Sequence, residues 1–484
     1  MSEWVTETPA FAVVGKINMG KSSVLSTLLE IDDDAVIRVS GTPGETTGCQ
    51  VLPLSFDNRE MIRFLDTPGF SRALEAMRAI RELHGEGTPD RETVRRFVEG
   101  QREGGEFEDE ARLLQPVVEG AGVLYVVDPS KPLRDAFVAE MEILRWTGAP
   151  RMAVLNDMGG NPERMEAWRT RLGSYFNLVR TFNAHQARFR ERRSLLQSLL
   201  AIDERNQGRI EETIRFIDLE WKQRREESAE VIMEFLGQAL HHREREKMEA
   251  KDEELEHRKE RVKERLQSRY YASIAKMEEA AYRKLLRLYR HKLLKVQLGG
   301  EAFHGVDLSS QETWQKWGLS RSQLALAGGL AGGAAGVAID IGTGGLSQGL
   351  GTVIGALTGA GGAFFQGERL PELRVSAQGV TWEGDRRRAF TVGPPESENF
   401  AWILLDRALH HYGEIIGRSH GRREEDVIGG EVNGVVKGFG RERRAKLQKW
   451  IVGQLKGGPA TFEQAIFEEF LSILEEVEEG GDSG

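Results

Sequence analysis

The loop Gly15–Ser22 constrains the fold of this chain more than any other feature of its sequence. It has the pattern Gly-x4-Gly-Lys-Ser, follows the apolar stretch Phe11–Val14 and leads into a helix-like stretch, Ser22–Leu29. In this context, backbone N–H groups converge on phosphate oxygens and the N-terminus of the helix adds positive potential. The sequence therefore predicts a phosphate-binding loop at the start of an α/β nucleotide-binding domain.

The predicted fold class is an α/β P-loop domain followed by a mostly α-helical region with a Gly-rich helical hairpin and a small β-hairpin. From Phe11 to about Ala187, short apolar runs alternate with polar, helix-like segments, which is typical of βαβ units around a buried sheet. The predicted segments are a P-loop domain at 1–190, a helical stalk at 191–322, a Gly-rich hydrophobic hairpin at 323–367, a β-hairpin at 368–398, a C-terminal helical part at 399–478 and a disordered tail at 479–484.

A second motif, Leu65–Gly69, ends an apolar strand at the distance from the loop that nucleotide hydrolases need. In such a site Lys21 reaches the β and γ phosphates, and the Ser22 hydroxyl binds Mg²⁺. Asp66 is expected to hold the Mg²⁺ shell through water, and the Gly69 N–H to meet the γ-phosphate. The segment Gly41–Gly48 between the motifs contains three threonines, Thr42, Thr46 and Thr47, one of which is expected to complete the coordination of Mg²⁺.

The run Thr42-Pro43-Gly44 before the pair Thr46-Thr47, and then Asp66-Thr67-Pro68-Gly69, resembles the TrmE/Era branch of GTPases over about the first 190 residues. The resemblance implies GTP or GDP as ligand with Mg²⁺, and it makes Thr47 the switch threonine with Thr46 as the alternative. It also implies that Asn18 helps to hold K⁺ beside the phosphates. The alternative for Asn18 is a side chain that only stabilises the loop.

The resemblance assigns a role to each matching position. Catalysis falls to Lys21, Thr47, Asp66 and Gly69; Mg²⁺ binding to Ser22, Thr47 and Asp66; K⁺ binding to Asn18; and nucleotide contacts to Gly15, Asn18, Met19, Gly20, Lys21, Ser22, Ser23, Asn156, Asp157, Asn183 and Ala184.

Two positions depart from the GTPase pattern. The guanine-reading motif Asn-Lys-x-Asp appears as Asn156, Asp157, Met158 and Gly159, so the lysine and the final carboxylate are replaced. Either Asp157 or a residue elsewhere reads the base, or discrimination against adenine is reduced. Phe70 stands where Ras-like enzymes have the glutamine that orients water, which predicts slow intrinsic turnover.

Two regions outside the motifs are predicted to be helical. The insertion from about Arg72 to Gln115 is interpreted either as a solvated decoration or as a relay from Gly69. The span Gln238–Leu298 contains neither glycine nor proline, which predicts helix throughout. Its apolar residues Met248, Leu255 and Val262 recur every seven positions, which suits a coiled-coil seam or a solvated helical spacer.

The segment 323–367 contains two rows of glycines, and within each row the glycines are spaced four residues apart. On helices this spacing would allow backbones to pack closely. Three interpretations of this segment remain open: a helical hairpin that contacts a membrane or a membrane protein, a packed soluble hairpin, and a disordered loop. A GTPase head, a stalk and a hydrophobic segment are also the layout of dynamin-like GTPases, an analogy of architecture alone. The distal half resembles the C-terminal domain of a bacterial group of TrmE-like GTPases, which names no activity.

Composition bounds the partners and the compartment. The formal charge is −10 over 484 residues with no broad basic surface, which disfavours nucleic acid as a partner. Cys49 is the only cysteine and the N-terminus lacks a signal-peptide pattern, so a cytoplasmic protein is expected, with the inner face of the membrane as an alternative site. The hypotheses are a GTPase switch with a helical effector half and a nucleotide-dependent dimer, an Era-like RNA or ribosome-assembly GTPase, and a nucleotide-binding scaffold with little turnover.

Overall fold

Two compact units make up the chain in its computed structural model. The residues described are 8–32, 49–102, 104–159, 161–248, 252–292, 376–382, 385–393, 398–422, 434–457 and 464–480. The P-loop unit comprises Met1–Gln223, Tyr289–Leu293 and Ile416–Glu425, and the helical unit comprises Arg224–Leu288, Leu294–Ile415 and Asp426–Gly484.

A six-stranded sheet forms the centre of the P-loop unit. Its strands are β1 (Ala10–Val14), β2 (Gln50–Phe56), β3 (Arg59–Asp66), β4 (Gly122–Val127), β5 (Arg151–Asn156) and β6 (Leu178–Phe182), in the spatial order β2-β3-β1-β4-β5-β6. Neighbouring strands are parallel except for β2 and β3. Strands β1 and β4 are buried at every residue, which explains their unbroken apolar sequences. The predicted α/β P-loop fold is confirmed.

Helices cover both faces of this sheet. They are α1 (Lys21–Leu29), α2 (Ala73–His84), α3 (Arg91–Gln101), α4 (Glu108–Val118), α5 (Asp135–Trp146), α6 (Pro162–Gly173) and α7 (Phe189–Leu200). Val13 packs in one apolar core with α1 and α7, and Val14 packs in the other with α2 to α6. Successive strand residues thus serve opposite cores, and the carboxyl ends of β1 and β3 come together at one edge of the sheet.

The insertion after Gly69 is helical, as its sequence predicts. It consists of α2, α3 and α4, and Asp90 begins α3 by accepting a hydrogen bond from the Thr93 N–H at 2.9 Å. Its apolar side chains, including Ile80, Val94 and Leu114, are fully buried in the core against α5. The insertion is therefore part of the folded core, so the interpretation as a solvated decoration is wrong.

The glycine-free span Gln238–Leu298 is not helical throughout, and that prediction is wrong. Helix α8 (Gln207–His241) ends there, strand β7 (Glu244–Met248) follows, and α9 (Asp252–Leu288) begins after it. Strand β7 has a charged sequence, but pairing with another strand satisfies its backbone hydrogen bonds, which outweighs helix propensity. Met248 lies on the strand, so the seven-residue row of a coiled coil does not continue along one helix.

The predicted β-hairpin is present. Its strands are β8 (Ser376–Trp382) and β9 (Asp385–Val392), paired antiparallel, and β7 adds a third strand in the order β7-β9-β8. Helix α9 contacts β7 through Glu244, whose carboxylate accepts hydrogen bonds from Arg269 at 2.9 Å and from Ser273 at 2.8 Å. The small sheet is thus formed by segments that lie far apart along the chain.

Three helices complete the described part of the helical unit: α10 (Glu398–Gly417), α11 (Arg441–Leu455) and α12 (Gln464–Gly480). Arg443 on α11 pairs with two residues of α12, Glu469 at 2.6 Å and Glu476 at 2.5 Å. The predicted tail at 479–484 is also partly helical, because α12 continues to Gly480. Arg225 supports this last turn by pairing with Glu478 at 2.7 Å.

The Gly-rich segment 323–367 lies outside the described residues, so its predicted hairpin stays a prediction. Among the residues that the structure describes, no helix combines the length and the apolar character needed to cross a membrane.

Candidate nucleotide-binding site

Two glycines give the loop between β1 and α1 its shape. Gly15 has φ +152°, and a side-chain carbon there would lie 2.3 Å from the Val126 carbonyl oxygen. Gly20 has φ +87° and forms the N-terminal cap of α1, so its left-handed backbone favours glycine. The loop thus ends on the N-terminus of a helix, where Ser22 and Ser23 lie half-buried in the first turn.

Lys21 extends over the loop rather than away from it. Its ammonium donates to the Gly15 carbonyl at 2.8 Å and to the Lys16 carbonyl at 3.4 Å. Burial lowers the pKa of Lys21, whereas the nearby carboxylates of Asp66 and Glu140 raise it. The group is placed to bind phosphate oxygens above the loop.

Asp66 ends strand β3 directly beside β1. The two strands pair so that Val13 lies opposite Asp66, and the Thr67 hydroxyl donates to the Val13 carbonyl at 2.8 Å. Asp66 is 5% exposed, and burial raises the pKa of its carboxyl to about 6, against the opposing charge of Lys21. Its Oδ1 atom has no hydrogen-bond partner among the described residues, which fits a carboxylate that holds a hydrated Mg²⁺ ion.

Gly69 lies against the phosphate-binding loop. A side-chain carbon there would be 3.1 Å from the Gly15 carbonyl oxygen and 3.4 Å from Lys16 Cα. The next side chain, Phe70, is 6% exposed and packs in the core that contains α2 to α6. Its ring is therefore held in the apolar core, and it carries no polar group that could orient water.

A buried carboxylate that the sequence did not single out holds the backbone after Gly69. Glu110, in the first turn of α4, is 1% exposed, and its Oε1 accepts the N–H groups of Ser71 at 3.0 Å and Arg72 at 2.5 Å. Cys49, at the end of the segment with the candidate switch threonines, donates its thiol to the Arg112 carbonyl of the same helix at 3.5 Å. Helix α4 thus contacts both segments that flank the phosphate site.

A second unforeseen carboxylate lies beneath the loop. Glu140 on α5 is fully buried, accepts the Tyr125 hydroxyl at 2.7 Å and lies 3.6 Å from the Lys16 ammonium. Burial raises the pKa of Glu140 to about 7, opposed by the hydrogen bond from Tyr125 and the charge of Lys16. Met19 is also buried here, where its sulfur accepts the Asp128 N–H at 3.3 Å.

Asn18 occupies the exposed crest of the loop with φ +64°. Asparagine tolerates this left-handed conformation better than most residues, so the loop geometry alone gives a reason for it. Asn18 is exposed and does not belong to either apolar core. The candidate switch threonines Thr46 and Thr47 lie outside the described residues.

The residues expected to face the base meet behind the loop. Asn156, fully buried at the end of β5, accepts the Ala184 N–H at 3.0 Å, and its amide nitrogen faces Gly20, where a side-chain carbon would lie 2.0 Å away. Asn183 closes its own turn by accepting the His185 N–H at 3.0 Å. Asp157 accepts the Gly159 N–H at 3.0 Å, so this carboxylate shapes the turn in which the expected acidic residue is missing.

Comparison with known proteins agrees with the fold of the P-loop unit. A family model described as "50S ribosome-binding GTPase" matches residues 10–157, and a family model described as "Domain of unknown function (DUF3482)" matches residues 169–465. The chain therefore carries a P-loop GTPase domain followed by a region shared with the second family.

Curated relatives match only the first of these regions. The probable GTP-binding protein EngB of Anaeromyxobacter sp. (strain K) is 41% identical over 71 residues, which is 14% of this chain and 32% of the relative. The EngB of Anaeromyxobacter sp. (strain Fw109-5) is 36% identical over 77 residues, 15% of this chain and 35% of the relative. The chain thus spans about a third of the length of the curated relatives it matches.

One similar solved structure is a crystal structure of Era in complex with MgGDPNP and nucleotides 1506-1542 of 16S ribosomal RNA. It is 20% identical, covers 37% of this chain and 51% of its own, and has a TM-score of 0.25. None of these matches is to a TrmE protein, so the TrmE-specific part of the sequence resemblance stays a prediction.

Proposed function

The chain belongs to the family described as Domain of unknown function (DUF3482), and from this premise we propose that its P-loop domain binds GTP and hydrolyses it to GDP and phosphate. The observation that carries the proposal is the meeting of Lys21, Asp66 and Gly69 at the carboxyl ends of β1 and β3. The backbone at Gly69 approaches the phosphate-binding loop so closely that a side-chain carbon there would lie 3.1 Å from the Gly15 carbonyl oxygen, which supports a phosphate position shared by the two motifs.

Each residue has a distinct part in the proposed reaction. Lys21 binds the β and γ phosphates, the N-terminus of α1 binds phosphate oxygens through N–H groups, and Gly69 donates its N–H to the γ-phosphate. Ser22 and Asp66 would hold Mg²⁺, with Thr47 as a further ligand. The bound ion would supply positive charge that offsets the charge developing on the transferred phosphoryl group.

Water positioning is the weak step of this site. Phe70 is turned into the core, so no side chain at that position orients the attacking water. We expect the water to be held by backbone, by another side chain or by a partner, and intrinsic turnover to be slow. Asn18 is proposed to hold K⁺ at the exposed crest of the loop, where a second cation would stabilise the same developing charge.

Hydrolysis of GTP and ATP by the purified chain, compared in K⁺ and in Na⁺, tests the proposal. We expect hydrolysis of GTP to exceed that of ATP, to be faster in K⁺, and to be abolished in K21A, whose variant chain should keep the helical content of the wild type. N18A should lose the K⁺ stimulation while retaining basal turnover. Equal rates in the two salts would overturn the role of Asn18, and a preference for ATP would overturn the guanine assignment.

The nucleotide state is proposed to control the rest of the chain through α4. Glu110 fixes the backbone that follows Gly69, and Cys49 touches the same helix, so a shift of Gly69 on loss of the γ-phosphate would reach α4 directly. This contact supports the interpretation of the insertion as a relay. A nucleotide-binding scaffold without turnover would show GTP-dependent changes in α4 but no release of phosphate.

A ribosome or RNA partner is the second candidate function. The observation that favours it is the description of the matched family as ribosome-binding, and it weakens the sequence-based expectation that nucleic acid is not a partner. Sedimentation of the chain with ribosomes, in the presence of GDP or a non-hydrolysable GTP analogue, tests this candidate. Nucleotide-dependent co-sedimentation would favour it, and recovery of the chain only in the supernatant in both states would exclude it.

A further inference from the structure

A distant segment of the chain, Ser419–Gly421, packs within the P-loop unit against the loop expected to face the base. This base loop is Asn183–His185. Ser419 is 2% exposed, and its hydroxyl donates to the Ala184 carbonyl. The Thr27 hydroxyl of α1 lies 3.0 Å from the same carbonyl oxygen and 3.2 Å from the Ser419 hydroxyl. Two hydroxyl groups therefore converge on one carbonyl of the base loop.

The backbone at Gly421 makes the contact closer still. A side-chain carbon there would lie 2.3 Å from the Ala184 oxygen, 2.8 Å from the Thr27 hydroxyl and 2.9 Å from the Ser23 carbonyl oxygen. A residue with a side chain would thus have to displace either the base loop or the first turns of α1. The approach of this segment explains why glycine stands at position 421.

The segment is anchored on its other side by stacked histidine rings. The centroids of His420 and His291 are 4.2 Å apart, and His420 Nε2 lies 3.0 Å from the Tyr289 carbonyl oxygen. The Lys292 N–H donates to Asp32 just beyond α1 at 2.8 Å. Residues 289–292 therefore connect the segment to the chain that leads out of α1.

From Ala184 the contacts continue to the phosphate-binding loop. The Ala184 N–H donates to Asn156 at 3.0 Å, and the Asn156 amide faces Gly20. A displacement of the Ala184 carbonyl would therefore alter the position of Asn156 and the space for the base. The path runs through packed, buried groups, which is the arrangement that transmits energetic coupling between sites.

We propose that Ser419 and Gly421 are positioning residues for base recognition, which fix the base loop against α1 so that its backbone distinguishes guanine from adenine. The inference rests on the proposed guanine-nucleotide function and deepens it. The acidic base reader is absent at Gly159, so the backbone of the base loop carries a larger share of the discrimination.

The test compares the affinities of the full chain for GDP and ADP, with Mg²⁺, by titration calorimetry. S419A should lower the preference for GDP over ADP by about tenfold, the effect of losing one buried hydrogen bond, while kcat at saturating GTP stays within about twofold because the phosphate site is untouched. S228A is the matched control, since Ser228 is another fully buried serine whose hydroxyl donates to a backbone carbonyl, that of Arg224 at 2.6 Å, and it lies on α8 in the helical unit.

The outcomes are distinct. An unchanged preference in S419A would overturn the inference, whereas an equal loss in S419A and S228A would assign the effect to general stability and overturn it as well. If S419A does not fold, T27V removes the other hydroxyl that approaches the Ala184 carbonyl and should give the same loss. If the wild-type chain binds GDP and ADP equally, the guanine assignment fails and the inference fails with it. If the wild-type chain prefers GDP and S419A keeps that preference, the inference alone fails.

Discussion

Glu110 and Asp109 are adjacent acidic residues that differ in burial and in their hydrogen-bond partners. Glu110 is buried and accepts two backbone N–H groups just after Gly69, whereas Asp109 is exposed and accepts only the Ser71 hydroxyl at 3.1 Å. The two hydrogen bonds of Glu110 are partly buried, so water compensates for their loss less fully than for loss of the exposed hydrogen bond of Asp109. The same type of side chain therefore has a structural role at one position and a minor role at the next.

We predict that E110A lowers the free energy of unfolding of the P-loop unit by about 2 kcal/mol, because the Ser71 and Arg72 N–H groups lose their acceptor. It should also lower kcat for GTP about tenfold, since the backbone that follows Gly69 is no longer held at Ser71 and Arg72. Urea unfolding and phosphate release measure the two effects. D109A is the control and should change stability by less than about 0.5 kcal/mol; equal effects of the two substitutions would contradict the assigned role of Glu110.

At the scale of elements, strand β7 is the main departure from the pattern of the sequence. Its residues favour helix and their neighbours on both sides are helical, yet β7 lies between α8 and α9 as an outer strand of a three-stranded sheet. Its partner β9 lies more than a hundred residues further along the chain, Glu244 pairing with Val392. Helix propensity differences amount to only a few tenths of a kcal/mol per residue, so a satisfied ladder of backbone hydrogen bonds overrides them.

The insertion helices show the opposite case, in which local pattern and tertiary structure agree. Helices α2 and α3 each bury one apolar face, and α3 begins at the capping residue Asp90. What the local pattern does not contain is the contact of α4 with the backbone after Gly69. Through that contact, α4 lies against the segment that follows Gly69, beside the candidate phosphate site.

At the scale of the whole molecule, the chain forms two compact units, and the helical unit contains a buried ion pair. Arg407 on α10 donates to Glu278 on α9 at 2.7 and 2.9 Å, and the Tyr282 hydroxyl donates to the same carboxylate at 2.7 Å. Burial opposes the ionised carboxylate, but the charge and hydrogen bonds of Arg407 hold the pKa of Glu278 below its ordinary value. This ion pair therefore links α9 and α10 within the helical unit.

We expect R407M to reduce the stability of the helical unit by about 3 to 5 kcal/mol, because it leaves a buried carboxylate without its cation. Hydrogen exchange of the full chain, read separately for the two units, measures the change and should show protection in the P-loop unit largely retained. K284M removes the exposed pair with Glu234 in the same helical unit, where the side chains are 50% and 48% exposed, and should cost less than about 1 kcal/mol. Similar losses in the two variants would disprove the importance of burial here.

The sequence by itself determined the phosphate chemistry, because Gly15–Ser22 and Asp66–Gly69 are short local patterns whose backbone geometry follows from residue type. It also determined the alternating α/β order and the hairpin of β8 and β9, since both depend on the spacing of apolar and turn residues. Only the tertiary structure decided that Glu110 holds the backbone after Gly69, that β7 is a strand, and that Ser419–Gly421 packs on the base loop. These three depend on contacts between residues far apart in the chain, where burial and hydrogen-bond satisfaction outweigh local propensity.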